Sequence, residues 1–261
     1  MSGPRRYRGN RKRGKKNNKN IKTVVKSCLR AQVEDKYTGT NFNGYRVNTQ
    51  MNGVVQQDIV RLQPLIFQGV GGQDSSRIGN NVRPISMTCS VDFFVNRATP
   101  QADWGDLGAY FDLYVFSFKQ VVAPTDASPQ IAEFLRPLQP NGSFQDTFYQ
   151  GLPANGHQLI NTDVITIHHR KRFRMSNPYN QNGVSSASQM SALNYSYNFS
   201  LTKALKKTWK YTNDLDSSAN NQGIYACMVC TKSDFSSNNP DSNNYTLGTA
   251  NFMTKLVYED A

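Results

Sequence analysis

Residues 82–96 read VRPISMTCSVDFFVN, and they decide the fold class because apolar side chains recur there at every second position. The alternating set consists of Ile85, Met87, Cys89, Val91, Phe93 and Val95. Successive side chains of a β-strand point to opposite faces, so this pattern predicts a long strand with one face buried. Residues 109–121 are apolar at consecutive positions, and they predict a central strand that is covered on both faces.

Six further segments are rich in β-branched and aromatic residues and also predict strands. They are residues 31–39, 54–62, 163–175, 193–201, 223–231 and 250–259. The shorter segment 207–211 is expected to pair with a sheet edge, and residues 129–136 predict one short helix. The sequence therefore predicts an all-β fold: a single eight-stranded antiparallel sandwich with long loops, of which the jelly roll is the eight-stranded version common in viral shells.

The charge of the chain is concentrated at its start. Twelve of the 30 Lys and Arg residues, but none of the 18 Asp and Glu residues, lie within residues 1–30. Residues 31–261 therefore hold 18 basic and 18 acidic residues, and the formal net charge of +12 belongs to the first segment alone. Because that segment has almost nothing apolar before Ile21, it cannot bury enough surface to fold by itself. We expect a disordered basic arm over residues 1–30 and one folded domain over residues 31–261. The sequence leaves open whether residues 21–29 form a short helix or strand on binding.

The basic arm predicts a nucleic-acid partner, because Lys and Arg bind phosphates and release condensed counterions. The candidate binding residues are Arg5, Arg6, Arg8, Arg11, Lys12, Arg13, Lys15, Lys16, Lys19, Lys22, Lys26 and Arg30. A nuclear import signal is a second and compatible interpretation of the arm. A solvated tail without a partner is disfavoured, since twelve like charges would repel one another strongly.

A second basic cluster lies within one predicted strand. Arg170, Arg172 and Arg174 occupy alternate positions, so they are expected to share one face of that strand. That face is either a second nucleic-acid contact or a solvated or subunit-interface surface, and the sequence leaves both possibilities open.

Catalytic and cofactor sites are not indicated by any motif. The Gly-rich residues 68–80 lack the Gly-Lys-Ser/Thr ending of a P-loop and lead into a strand. Regular alternation predicts that His168 and His169 point to opposite faces, and it predicts the same for Cys227 and Cys230. This separation favours buried thiols over a zinc site. We expect no enzyme, no metal and no cofactor.

Targeting segments are not indicated either. No apolar stretch of signal-peptide length follows the basic start, so no secretory signal is expected. No run approaches the ~20 apolar residues of a membrane span. The four cysteines are too few for a disulfide framework.

Four features occur in order along nearly the whole chain. They are the basic arm, Glu34-Asp-Lys-Tyr37, the stretch from Gln68-Gly69 to Arg77-Ile78-Gly79-Asn80, and the closing Leu256-Val-Tyr-Glu-Asp-Ala261. Together they resemble the capsid proteins of circular single-stranded DNA viruses that encode a rolling-circle replication initiator, the circoviruses and their relatives. The chain departs from that pattern at the insert Gln73-Asp-Ser-Ser76, and the loop before Leu256 lacks a clear Arg where relatives often have one.

The resemblance implies a jelly roll and self-assembly of sixty copies into a T=1 shell. It also implies a circular single-stranded DNA genome inside a virion, and entry into the host nucleus through the import machinery. Two alternatives stay open. One is the coat protein of a small RNA or satellite virus, and the other is a cellular nucleic-acid-binding β protein that forms no shell.

Overall fold

The computed structural model describes residues 21, 23–24, 35–48, 59–69, 76–95, 109–120, 160–175, 194–213, 215–232 and 246–260. The chain divides into two compact units, Met1–Asp35 and Lys36–Ala261. In the first unit, Ile21, Thr23 and Val24 have helical backbone and exposed side chains. The other residues of the arm and the predicted helix at 129–136 lie outside the described residues, so both predictions stay untested.

Within the described residues of the second unit, nine strands join in one sheet. In chain order they are β1 (Lys36–Asn48), β2 (Val60–Arg61), β3 (Asn81–Val95), β4 (Ala109–Phe118), β5 (Ile165–Met175), β6 (Asn194–Ser200), β7 (Trp209–Lys210), β8 (Tyr225–Lys232) and β9 (Thr246–Asp260). Their order across the sheet is β5-β4-β8-β1-β9-β3-β6, with β2 paired to β8 and β7 paired to β3.

One pairing makes the sheet mixed. Asn48 of β1 and Val229 of β8 form a parallel pair, whereas the other strand pairings of the described residues are antiparallel. The all-β prediction is confirmed. The short segment expected at 207–211 is present as β7, which pairs with β3. The prediction of a purely antiparallel arrangement is wrong at one pair, because β1 meets β8 in parallel.

The main core forms because the sheet curls until its two halves face each other. Met87, Cys89, Val91 and Phe93 of β3 are buried on one face, as their alternation predicts. The ring of Phe93 lies 4.5 Å from the ring of Phe111 on β4, although β3 and β4 are not neighbours in the sheet. Each such side chain stabilises the fold by roughly 1.5–3 kcal/mol when it leaves water.

Ile85 is an exception to the predicted alternation on β3. Its side chain is 37% exposed. The pairing of β3 with β9 shifts register between Pro84 and Ser86, so the phase of alternation changes there. The prediction that Ile85 joins the buried set is therefore wrong.

Strand β4 is central, as its consecutive apolar residues predict. It pairs with β5 on one side and with β8 on the other. Phe111 and Leu113 belong to the main core, whereas Tyr114 and Phe116 belong to a second buried cluster on the opposite face. Strand β8 is likewise buried on both faces, so β4 and β8 together form the enclosed centre of the sheet.

Strand limits differ most from the predictions at β1. The predicted strand 31–39 begins at Lys36 in the structure and continues to Asn48. Little in the polar residues 40–48 signals a strand, but pairing with β9 supports their backbone along nearly the whole length of β1. Of the predicted strand 54–62, the structure assigns Val60–Arg61, and residues 54–58 lie outside the described part.

A buried arginine fastens the loops before β3 and after β7. Arg77 has no exposed surface, and its guanidinium lies 4.2 Å from the ring centroid of Tyr211. Its Nη1 donates to Gly79 O at 2.6 Å, and its Nη2 donates to Asn213 O at 2.7 Å and to Asp216 O at 2.8 Å. One side chain thus ties together two segments that lie far apart in sequence.

Three segments that lie far apart in sequence meet at Lys36. Its Nζ donates to Ser76 O at 2.7 Å and to Asp260 Oδ2 at 2.6 Å. The ion pair is mostly shielded from solvent, with 12% and 20% of the two side chains exposed. The start of β1, the stretch before β3 and the end of β9 are therefore joined by one cation.

Candidate nucleic-acid interface

The arginine stripe, which consists of Arg170, Arg172 and Arg174 on β5, shares one face as predicted. In the antiparallel register of β4 and β5, these residues lie opposite Tyr114, Asp112 and Tyr110, respectively. Tyr114 belongs to the second buried cluster, so the stripe lies on the face turned away from the main core.

A buried carboxylate holds the stripe in place. Asp112 has no exposed surface, and its Oδ2 lies 3.2 Å from Nη2 of Arg172. Its Oδ1 lies 3.9 Å from Nη2 of Arg170. A buried charge is costly unless it is paired, so Asp112 requires these arginines as much as it positions them.

Two tyrosine rings support the guanidinium groups. Arg170 lies 5.1 Å from the ring centroid of Tyr114, and Arg172 and Arg174 lie 5.2 and 5.7 Å from that of Tyr110. Burial, and secondarily the charge of Asp112, raises the pKa of Tyr114, so its hydroxyl stays neutral. The ring of Tyr114 therefore offers a face to the cation and adds no negative charge.

The stripe remains accessible enough to bind a partner. The side chain of Arg170 is 36% exposed and that of Arg172 is 25% exposed. The three guanidinium groups give the stripe a concentrated positive charge, which the carboxylate of Asp112 offsets in part. Guanidinium groups that are fixed by rings and a carboxylate lose little freedom when they bind phosphate through their remaining N–H groups.

Sequence reasoning found the arginines but missed Tyr110, Asp112 and Tyr114. The alternation Tyr-x-Asp-x-Tyr is visible in β4. What could not be read from it is that β4 and β5 are neighbours in this register. That pairing joins residues about 60 positions apart through the loop 121–159, which lies outside the described residues.

The other face of β5 packs against β6 through side chains that form an aromatic seam. Phe173 stacks on Tyr195 with ring centroids 4.2 Å apart, and Lys171 Nζ lies 5.4 Å from the ring centroid of Tyr197. The ring of His169 lies 4.5 Å from that of Phe199 and is nearly parallel to it. Lys171 is therefore separated from the arginine stripe although it lies within the same basic run.

The two histidines do not follow the regular alternation that the sequence analysis assumed. The register of β4 and β5 shifts between Val115 and Phe116, and His168 has no paired residue at that bulge. Its Nε2 lies 2.8 Å from Ser117 Oγ, whereas His169 lies against the aromatic seam. Burial lowers the pKa of both histidines, and the charge of Lys171 lowers that of His169 further.

The cysteines of the described residues are buried thiols, as predicted. Cys230 lies in the main core and Cys227 lies in the second cluster, so the CxxC pair points to opposite faces of β8. Burial raises the pKa of the Cys89 thiol to about 12. Within the part of the chain that the structure describes, no group of three or more His, Cys, Asp or Glu side chains is arranged to hold a metal ion.

The candidate residues of the arm, from Arg5 to Arg30, lie outside the described residues, so their role stays a prediction.

Comparison with known proteins adds no relative. No family model matches the chain, and no curated protein matches it. In the described ranges, no helix has the length and apolar character to cross a bilayer.

Proposed function

We propose that this chain is the coat protein of a small non-enveloped virus, with a body that builds a shell and an arm that packages the genome. The observation that carries the proposal is the separation of charge along the chain. All of the formal excess of +12 lies in residues 1–30, and the remaining 231 residues are balanced. Such an arm suits a polyanion, and a balanced body can pack closely against copies of itself.

Strand order supports a jelly roll as the fold of the body. A jelly roll winds eight strands, numbered along the chain, into sheets of order 1-8-3-6 and 2-7-4-5. With the short β7 left out of the numbering, the runs β1-β9-β3-β6 and β2-β8-β4-β5 follow these two orders. The parallel pair of Asn48 and Val229 is then the place where an edge of one sheet pairs with an edge of the other.

The resemblance to circovirus-like capsid proteins guides the finer parts of the proposal. We propose a T=1 shell of sixty copies, a circular single-stranded DNA genome and use of the host nuclear import machinery. Sixty arms would supply about 720 positive charges, enough to hold a short genome without contacts specific to its sequence. No catalytic activity and no cofactor form part of this proposal.

The arginine stripe is proposed as a second, weaker contact with the genome. Its support is the positive charge of three arginines that share a partly exposed face turned away from the main core. Because Asp112 compensates part of that charge, the stripe should contribute less than the arm does.

The experiment that tests the division of labour compares the full chain with a variant that lacks residues 1–30. We expect the truncated body to fold but to lose binding to single-stranded DNA, together with the steep salt dependence of that binding. If all twelve arm cations contact phosphate, log K should fall against log salt with a slope of about −8. Retained binding of the truncated body at physiological salt would contradict the proposal.

A matched control keeps the arm and changes only the body. In the triple variant Arg170→Gln, Arg172→Gln, Arg174→Gln, we expect the salt slope to change by about 2 at most. A triple variant that loses binding as completely as the truncated chain would move the main site from the arm to β5.

Two further measurements separate the alternatives. Negative-stain microscopy of the expressed protein should reveal closed particles, whereas a cellular β protein would give single subunits or small oligomers. Nuclease treatment of purified particles then distinguishes a DNA genome from the RNA genome of a small RNA or satellite virus.

A further inference from the structure

Four large apolar side chains stand exposed on three loop segments, and we call them the loop patch. They are Leu65, Phe67, Ile78 and Leu215, with 40%, 61%, 70% and 96% of their surfaces exposed. Single exposed apolar residues are ordinary on a protein surface, but a contiguous group of them marks a contact site.

Hydrogen bonds bring these residues together. Arg77 N donates to Phe67 O at 2.9 Å, which places Phe67 beside Ile78. Ile66 N donates to Ser217 O at 2.8 Å, and Arg77 Nη2 donates to Asp216 O at 2.8 Å. Leu65 and Leu215 are the chain neighbours of these bonded residues, so all four side chains project from one bonded cluster of loops.

The loop patch is held in a defined shape before any partner arrives. Arg77 is fully buried, and it donates hydrogen bonds to Gly79 O in the loop before β3 and to Asn213 O in the loop after β7. Loops that are already ordered lose little conformational freedom on binding, so most of the apolar burial contributes to affinity. A buried arginine used in this way fixes a surface rather than filling the core.

The loop patch also lacks exposed charge. In the described parts of residues 62–80 and 211–219, the charged residues are Arg77, which is buried, and Asp216. The Oδ2 atom of Asp216 accepts hydrogen bonds from Thr212 N and Asn213 N. Nucleic acid is therefore a poor match for this surface, whereas the centres of protein–protein interfaces are depleted of charge in the same way.

We infer that the loop patch is a contact surface for a second copy of this chain. The inference rests on the proposed function as a self-assembling shell protein. Its further support is composition: interfaces between identical chains are more apolar than other interfaces, and the four exposed side chains of the loop patch are all apolar. In a closed shell the patch of each copy meets a different surface of the next, as heterologous contacts around a rotation axis require.

The test measures assembly of the full chain with its arm, in the presence of single-stranded DNA, by mass photometry over a range of protein concentrations. The double variant Ile78→Thr, Leu215→Ser removes two of the four side chains. Because both are exposed, we expect its melting temperature to match that of the parent chain. We expect the protein concentration at which particles form to rise about tenfold or more.

Met253→Ser serves as the matched control, since Met253 is 56% exposed but lies on β9, outside the loop patch. The protein concentration at which the Met253→Ser variant forms particles should differ less than twofold from that of the parent chain. If the double variant assembles at the parent concentration, or if Met253→Ser impairs assembly equally, the inference is overturned while the shell function stands. If the parent chain stays a single subunit under all conditions, both proposals fail. Single subunits that bind vesicles of neutral lipid through the loop patch would assign it to a membrane surface instead.

Discussion

Replacement of Arg77 by Leu gives the sharpest test of how the loops are fastened. The substitution removes a buried guanidinium whose donors reach Gly79 O, Asn80 Oδ1, Asn213 O and Asp216 O at 2.6–2.9 Å. A hydrogen bond to a charged group stabilises by about 1.5–3 kcal/mol. The sum overstates the effect, because the loop carbonyls can turn to water and because burying the cation costs desolvation.

We therefore expect Arg77→Leu to lower the free energy of unfolding by about 3–4 kcal/mol. For a body of this size, each 1 kcal/mol lowers the melting temperature by about 2–4 °C, so the midpoint should fall by about 8 °C or more. Arg77→Lys keeps the charge but loses the planar fork, and we expect about half of that effect. Urea unfolding of unassembled subunits, followed by circular dichroism, measures the change.

Arg83→Leu is the matched control for this measurement. Arg83 pairs with Glu259 at 2.9 Å, but its side chain is 45% exposed. Ion pairs of this kind contribute about 0–1 kcal/mol, so the control should unfold close to the parent chain. If Arg77→Leu also unfolds within 0.5 kcal/mol of the parent, our account of Arg77 as the fastening residue is refuted.

Two further predictions concern pH and thiol reactivity. Burial lowers the pKa of His168 and His169 below the ordinary 6.5, so the unfolded chain binds more protons and stability should fall as pH drops through about 6.5. The urea midpoints at pH 7.5 and pH 5.5 should therefore differ less in His169→Phe than in the parent chain. An unchanged difference would contradict the role of His169 in this pH dependence. Cys89, Cys227 and Cys230 are buried, so Ellman's reagent should leave the folded Cys28→Ser variant nearly unmodified. In urea the same reagent should titrate three thiols. Rapid labelling of the folded variant would contradict the burial of these cysteines.

Local pattern was sufficient to predict most strands. Period-two alternation in β3 and consecutive apolar residues in β4 report burial directly, and the structure confirms both. The alternation failed at Ile85 and at His168 for one reason: a bulge shifts the phase of a strand. Pro84 marks the first bulge, whereas no residue type marks the second.

Features that depend on strand pairing could not be read from the sequence. The polar end of β1 is a strand because β9 pairs with it, and Asp112 meets Arg172 because β4 and β5 are neighbours. The Gly-rich sequence around Arg77 gives no sign that this side chain is buried. Its burial depends on Tyr211 and on the carbonyl groups of residues 213 and 216, more than 130 positions along the chain.

The position of β9 between β1 and β3 has a consequence for the order of events during synthesis. The carboxylate that pairs with Lys36 belongs to Asp260, which lies 224 residues later in the chain. The edge of β1 that pairs with β9 therefore has no partner until β9 leaves the ribosome. Such distant pairings slow folding. Under the proposed function, residues 1–30 leave the ribosome before these pairings form, so the arm can bind the genome before the shell domain has folded.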